Sequence, residues 1–183
     1  MKELSLNILD ITKNSVTAGA KNIAIRLITD SQGILTLTIE DDGCGMTPET
    51  VKTVTDPFCT SRKTRKVGLG LPFLRLAANQ AGGDVTVISR HKDIYPDDHG
   101  TIVKATFDTN SIDFTPVGDV TGTIVTLING SPDIDFEFED TTPEGTVKLS
   151  TKELREVLGG VSLAEYEVLQ WIEGYLEEQY SAR

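Results

Sequence analysis

Only two cysteines, Cys44 and Cys59, occur in the 183 residues. That number cannot build a disulfide framework or a four-cysteine zinc site. No apolar run exceeds a handful of residues, so no transmembrane helix is expected. The start, Met1-Lys2-Glu3-Leu4, runs straight into an amphipathic pattern without the apolar centre of a signal peptide, and the expected location is cytoplasmic. Repeats, low-complexity tracts and flexible linkers are missing as well. So are several common catalytic signatures. There is no G-x-x-x-x-G-K-[ST] loop, no third glycine to complete a dinucleotide fingerprint, no protein-kinase signature set, no triad order and no His/Cys spacing suited to a metal.

What is present is globular in composition, with 38% hydrophobic and 25% charged residues. The charge is unevenly placed. Lys and Arg total 17 against 28 Asp and Glu, for a net −11. Residues 1–110 hold 13 of each sign, whereas residues 111–183 hold 4 basic and 15 acidic residues. The C-terminal part therefore carries the whole excess. Such a field disfavours nucleic acid and acidic membranes as partners. An anionic ligand is expected on the neutral part. The acidic part reads either as solvated surface or as a docking surface for a protein partner. With no linker between them, the two parts are expected as a domain over 1–110 and an acidic extension over 111–183 packed on it.

Residues 3–18 read as a helix, with Leu4, Ile8, Ile11 and Ser15 on one stripe, widened by Leu6, Leu9 and Val16, and Gly19 as its end. Asn22–Thr29 and Ile34–Glu40 alternate as half-buried strands around the turn Asp30-Ser31-Gln32-Gly33. Thr47-Pro48-Glu49 looks like a capped helix start. A helix is expected from about Gly70, with Leu71, Leu74 and Ala78 on one face, ending at Gly82-Gly83. Asp84–Arg90 and Thr101–Phe107 form a second strand pair across a polar loop in which His91 and His99 are expected to be exposed. Beyond residue 110, Gly118–Ile128, Lys152–Leu158 and Leu163–Glu178 read as helices. Ile134–Glu139 and Thr146–Leu149 read as a hairpin.

Four features could carry chemistry. Asp10 and Asn14 are one helical turn apart and share a face. Asp41-Asp42-Gly43-Cys44-Gly45 closes a strand. Phe58-Cys59-Thr60-Ser61-Arg62-Lys63 supplies hydroxyls and cations. Gly68-Leu69-Gly70-Leu71 opens a helix whose free N–H groups suit phosphate. Each alone reads as readily as a turn, a solvated helix face or a charged loop.

Taken in order, they resemble the GHKL ATP-binding family, which groups the DNA gyrase B subunit, Hsp90, sensor histidine kinases and MutL. Asp10-x-x-x-Asn14-Ser15 resembles its N motif, and Asp41-x-Gly43-x-Gly45 its first glycine motif. Asp56-Pro57-Phe58-x-Thr60 resembles the phenylalanine motif of histidine kinases, and Gly68-Leu69-Gly70-Leu71 the second glycine motif. The resemblance covers roughly residues 1–108. It implies an α+β two-layer sandwich of the Bergerat type, with a mixed sheet and helices on one face, to which the C-terminal part adds helices and a hairpin.

The resemblance also implies ATP and Mg²⁺ as ligands and assigns roles. Asn14 would ligate the metal and Asp41 would accept the adenine amino group. Gly43 and Gly45 would leave room for the base, Met46 would pack near it, and Thr101 would support it. Phe58, Thr60, Arg62, Lys63, Gly68, Leu69, Gly70 and Leu71 would belong to the phosphate side, with residues 56–68 as a lid. Asp10 would be the catalytic base, its short stem implying slow turnover. The implied function is a stand-alone histidine-kinase-like ATPase, acting as a regulatory protein kinase or slow ATPase on a protein partner. The alternative is a non-catalytic ATP sensor.

Overall fold

A computed structural model describes residues 3–54 and 70–183. The chain order is α1 (Leu4–Thr17), β1 (Asn22–Thr29), β2 (Ile34–Asp41), α2 (Pro48–Thr53), α3 (Gly70–Gln80), β3 (Val85–Arg90), β4 (Gly100–Asp108), α4 (Val120–Gly130), β5 (Asp135–Thr142), β6 (Gly145–Ser150), α5 (Thr151–Leu158) and α6 (Tyr166–Ser181). The strands form one six-stranded sheet in the order β3-β4-β2-β1-β5-β6. All neighbours are antiparallel except β1 and β5, which run parallel with Asn22 opposite Asp135.

The period-two pattern decides which face is covered. Ile23, Ile25 and Leu27 of β1, Leu35, Leu37 and Ile39 of β2, and Val103, Ala105 and Phe107 of β4 are buried. The residues between them, such as Arg26, Thr36 and Lys104, are not. The helices supply the other half of the core with Leu4, Ile8 and Ile11 of α1, Leu71, Leu74 and Ala78 of α3, Ile124 and Leu127 of α4, and Ile172 and Leu176 of α6. The result is a two-layer α+β sandwich with helices on one face. Phe107, fully buried, would cost about 3–5 kcal/mol if cut to alanine.

Residues beyond 111 enter this same core. Phe136 and Phe138 of β5 continue the buried face beside β1. The segment before α4 also holds the first helix, because the Leu4 and Ser5 N–H groups donate to the Pro116 and Val117 carbonyls at 2.9 and 2.8 Å. Those donors have no partner inside the helix. α5 is capped by Ser150, whose hydroxyl accepts from Glu153 N–H, and it ends on Gly159 with φ +58°. Arg155 ties it to the start of β5 through Asp135 Oδ1 at 2.9 Å and the Ile134 carbonyl at 2.7 Å.

Three expectations need correction. Leu6 does not widen the buried stripe: it is 43% exposed, and the flanks of α1 bury Ser5, Asn7 and Thr12 instead. A leucine at that spacing lies past the edge of the stripe, where water is available. Neither loop histidine is exposed: His91 is half-buried, and so is His99, whose Nδ1 lies 2.6 Å from the Gly43 carbonyl. The last helix begins at Tyr166, after a turn that leaves Leu163 buried ahead of it.

Candidate functional site

The end of β2 next to α1 is where polar groups converge. β2 alternates, so Asp41 points to the same side as Ile39, under α1. There its Oδ2 accepts from Ser15 Oγ at 2.5 Å and its Oδ1 from the Gly43 N–H at 2.9 Å. Burial pushes the Asp41 carboxyl above the ordinary value of 3.8. The bonds from Ser15 and Gly43 pull it down without cancelling that effect, and the charge of Asp42 adds to the rise. Thr101 N–H also acts on it, but two oxygens offer about four acceptor sites, so among the described residues Asp41 keeps capacity toward the open space beside it.

Asp42 does a different job from its neighbour. Its oxygens accept from Lys21 N–H at 2.7 Å, Asn22 N–H at 3.0 Å and Asn22 Nδ2 at 2.7 Å, which pins the corner between α1 and β1. Burial pushes this carboxyl up, but the bonds from the Asn22 side chain and the two backbone groups outweigh it and hold it below the usual value.

The open space is a cavity of about 250 Å³, with Ile11, Asn14, Ser15 and Thr17 of α1 and the capping Ala18 on its lining. Met46, Thr50, Val54, Leu71, Thr101, Val103, Asp41 and Gly45 complete it. Thr101 is opposite Asp41 in the sheet register, and its hydroxyl lies 2.8 Å from Ser89 Oγ. Ser89 also accepts from the Met46 N–H at 2.7 Å, which anchors the glycine loop to β3. The glycines make room chiefly for the chain itself. A Cβ on Gly43 would sit 2.9 Å from both Ala18 Cβ and Asp41 Oδ1, and one on Gly45, where φ is +68°, would collide with the Arg90 carbonyl. The Cys44 N–H donates to the Ala18 carbonyl at 2.9 Å, its carbonyl accepts from Lys92 N–H, and its thiol, in no disulfide among the described residues, donates to the Gly45 carbonyl at 3.6 Å.

Of the residues singled out from the sequence, Asn14, Asp41, Gly45, Met46, Leu71 and Thr101 come together on this cavity. Gly43 frames it through Asp41. Asp10 is exposed and off the lining, on the side of α1 that meets α3. A Cβ on Gly70 would lie 3.2 Å from that of Asp10. Phe58, Thr60, Arg62, Lys63, Gly68 and Leu69, and with them the expected lid, lie outside the described residues. Among the described residues no three His, Cys, Asp or Glu side chains cluster for a metal, and no helix is long and apolar enough to cross a membrane. Ser15, Ser89 and His99 are residues around the candidate site to which sequence reasoning gave no role there. Ser15 had a signal, its position directly after Asn14. The other two are brought in only by β3 and its loop.

The arrangement suits a flat heterocycle with an exocyclic amine: apolar walls from Ile11, Met46, Val54, Leu71 and Val103, and one oriented carboxylate. At about 250 Å³ it suits one ring system and not a whole nucleotide.

Comparison with known proteins agrees with the fold. Residues 1–111 match the family described as histidine kinase-, DNA gyrase B-, and HSP90-like ATPase. The signal transduction histidine-protein kinase AtoS of Escherichia coli (strain K12) is 35% identical over 89 residues, which is 49% of this chain. The aligned stretch spans only 14% of that curated relative. The ADP complex of the MutL ATPase domain from Aquifex aeolicus superposes with a TM-score of 0.54 at 14% identity, over 87% of this chain and 70% of that one. The N-terminal domain of a DNA repair protein superposes with a TM-score of 0.55 at 19% identity, over 82% and 53%.

Proposed function

The chain belongs to the histidine kinase-, DNA gyrase B- and HSP90-like ATPase family, and from that premise we propose that it binds Mg-ATP with the adenine in the cavity under α1. The observation that carries this is the Asp41 carboxylate, fixed by Ser15 and Gly43 and left with free acceptor capacity toward that cavity. It would accept the adenine amino group. Guanine presents a carbonyl at that position, which a carboxylate repels. Asn14 fits as a magnesium ligand, because its amide makes no hydrogen bond among the described residues and it stands on the cavity lining. Magnesium keeps most of its waters and needs few protein ligands. Bound there, it would neutralise phosphate charge. Asp10, one turn before Asn14, would orient water and take its proton.

The proposed activity is slow phosphoryl transfer, either to water or to a Ser or Thr of a protein partner, with the acidic residues 111–183 as the docking part. One observation favours a second reading, an ATP sensor without chemistry: Asp10 is exposed and off the cavity lining. Calorimetric titration of the protein with ATP and with GTP, each with and without Mg²⁺, tests the first claim. ATP should bind at least about tenfold tighter than GTP, the value of one hydrogen bond to a charged group. Equal affinity would remove Asp41 from base recognition. Turnover measured on Asp10→Asn separates the two readings. The variant should keep its ATP affinity and lose hydrolysis. Hydrolysis at the wild-type rate would leave Asp10 without a catalytic role.

A further inference from the structure

On the far side of the sheet from β3, a groove of about 390 Å³ is built almost wholly by the acidic part of the chain. Glu137 and Glu139 of β5, Glu153 and Leu154 of α5, and Trp171 and Tyr175 of α6 line it. Trp171 and Tyr175 are one helical turn apart, and their rings stack with centroids 5.0 Å apart and planes 10° from parallel. Trp171 nevertheless stays 54% exposed. Two cations also reach the groove, and both are engaged: Arg26 pairs with Glu40 at 3.0 Å and Lys148 with Glu139 at 3.6 Å. Glu137 accepts only from Ser150 Oγ, at 2.5 Å, and neither it nor Glu153 has a cationic partner among the described residues. Glu167 and Glu178, one turn before Trp171 and one turn after Tyr175, are exposed on the same stripe of α6.

We propose that this groove docks a basic segment of a partner protein, with an arginine guanidinium laid on Trp171 and paired with Glu137 or Glu153. The chemistry matches in two ways. A guanidinium is planar and weakly hydrated, so it can stack on an indole while its N–H fork meets carboxylates. The field of the whole C-terminal part, which carries the net −11, draws a cationic segment toward this face. The inference rests on the reading of residues 111–183 as the docking part and is independent of the nucleotide reading.

Trp171 is the sole tryptophan, so its fluorescence reports on the groove directly. The probes are a short arginine-rich peptide and the same peptide with each arginine replaced by citrulline, which keeps the shape and removes the charge. The arginine peptide should change Trp171 emission saturably, bind about tenfold or more tighter than its citrulline counterpart, and weaken as salt is raised. By calorimetry, Trp171→Ala should weaken it about two- to fivefold. The double variant Glu137→Gln/Glu153→Gln should weaken it by about three- to tenfold. Both should keep wild-type ATP affinity, so loss of peptide binding and loss of nucleotide binding are told apart. Equal affinity for the two peptides would overturn the proposal, as would full affinity in Trp171→Ala. A concentration-dependent dimer that shields Trp171 and excludes the peptide would also overturn it, since the occupant would then be a second copy of the chain.

Discussion

Asp41 and Asp140 stand at opposite ends of the same sheet, on the same face, and each is bonded to a hydroxyl. Asp41 accepts from Ser15 and from a backbone N–H, then faces a cavity. Asp140 accepts from Tyr180 OH at 2.8 Å and pairs with Arg183 at 3.2 Å, and Arg183 goes on to bond Thr142 at 2.8 Å. A larger cavity, about 590 Å³, opens beside Asp140, yet its carboxylate is already met by a cation and a phenol. Burial, and the charge of Asp140 next to it, hold the Tyr180 proton on well above the ordinary tyrosine value. The smaller cavity has the unfinished carboxylate, and the larger has the finished one. Under the proposed reading, cavity size is the poorer guide to where a ligand is recognised. Residual acceptor capacity on an oriented, half-buried group is the better one.

The contrast breaks if the two aspartates respond alike to substitution. Asp140→Ala strands a guanidinium that is only 14% exposed, and losing one member of a buried pair costs about 3 kcal/mol or more. Urea unfolding should show that loss, while ATP affinity stays at the wild-type value. Asp41→Asn should do the reverse. It removes a charge-assisted bond worth about 1.5–3 kcal/mol, a loss of about ten- to 150-fold in ATP affinity. The stability of the free protein should hold, because the fold disfavours the ionised form of Asp41. If Asp41→Asn unfolds the chain, or Asp140→Ala abolishes nucleotide binding, the distinction fails.

A finer test uses Asp41 and its neighbour. Asp41 titrates above 3.8 in the fold, so its stabilising contribution belongs to the protonated form. That contribution is present below the unfolded value and is lost as pH rises through the folded one. Asp42 titrates below 3.8, so its contribution is present above the unfolded value and is lost as pH falls through the folded one. Carboxyl-carbon NMR should therefore give Asp41 the higher midpoint of the two, and ATP binding should weaken on acidification in step with Asp41. A reversed order of midpoints would mean that the open carboxylate is the better solvated one.

Much of the fold was readable because it repeats locally. Alternation placed β1, β2 and β4 with the correct residues inward, and the stripe through Leu71, Leu74 and Ala78 placed α3. Thr47 and Pro48 marked α2, where Thr47 Oγ1 indeed accepts from the Thr50 N–H. Leu6 misled because helical spacing gives a direction but not the width of the surface that covers it. In the candidate site, Asp41 and Asn14 were singled out on local signals, a glycine-rich strand end and a one-turn spacing, and both stand on the cavity lining. The partners that fix Asp41 are less local. Ser15 is 26 residues away in sequence, and its bond exists only because α1 lies across the end of β2. The Asp140–Tyr180–Arg183 clasp and the Trp171 groove left no local trace, since each joins a strand to a helix some distance along the chain.

The parallel pairing of β5 onto β1 also has a consequence in time. While the protein is being synthesised, β1 has β2 on one side and a bare edge on the other. That edge stays bare until Asp135–Thr142 has emerged, on the order of ten seconds later at ordinary elongation rates. Until then its unpaired N–H and C=O groups are a template for any other extended chain. α1 meanwhile waits for Pro116 and Val117 to cap it. Local hairpins such as β1–β2 and β3–β4 can close at once, but the sheet as a whole must await a long-range closure, which slows folding. The nascent chain is therefore most vulnerable to mispairing between the synthesis of β2 and that of β5, and a chaperone would be most useful to it during that interval.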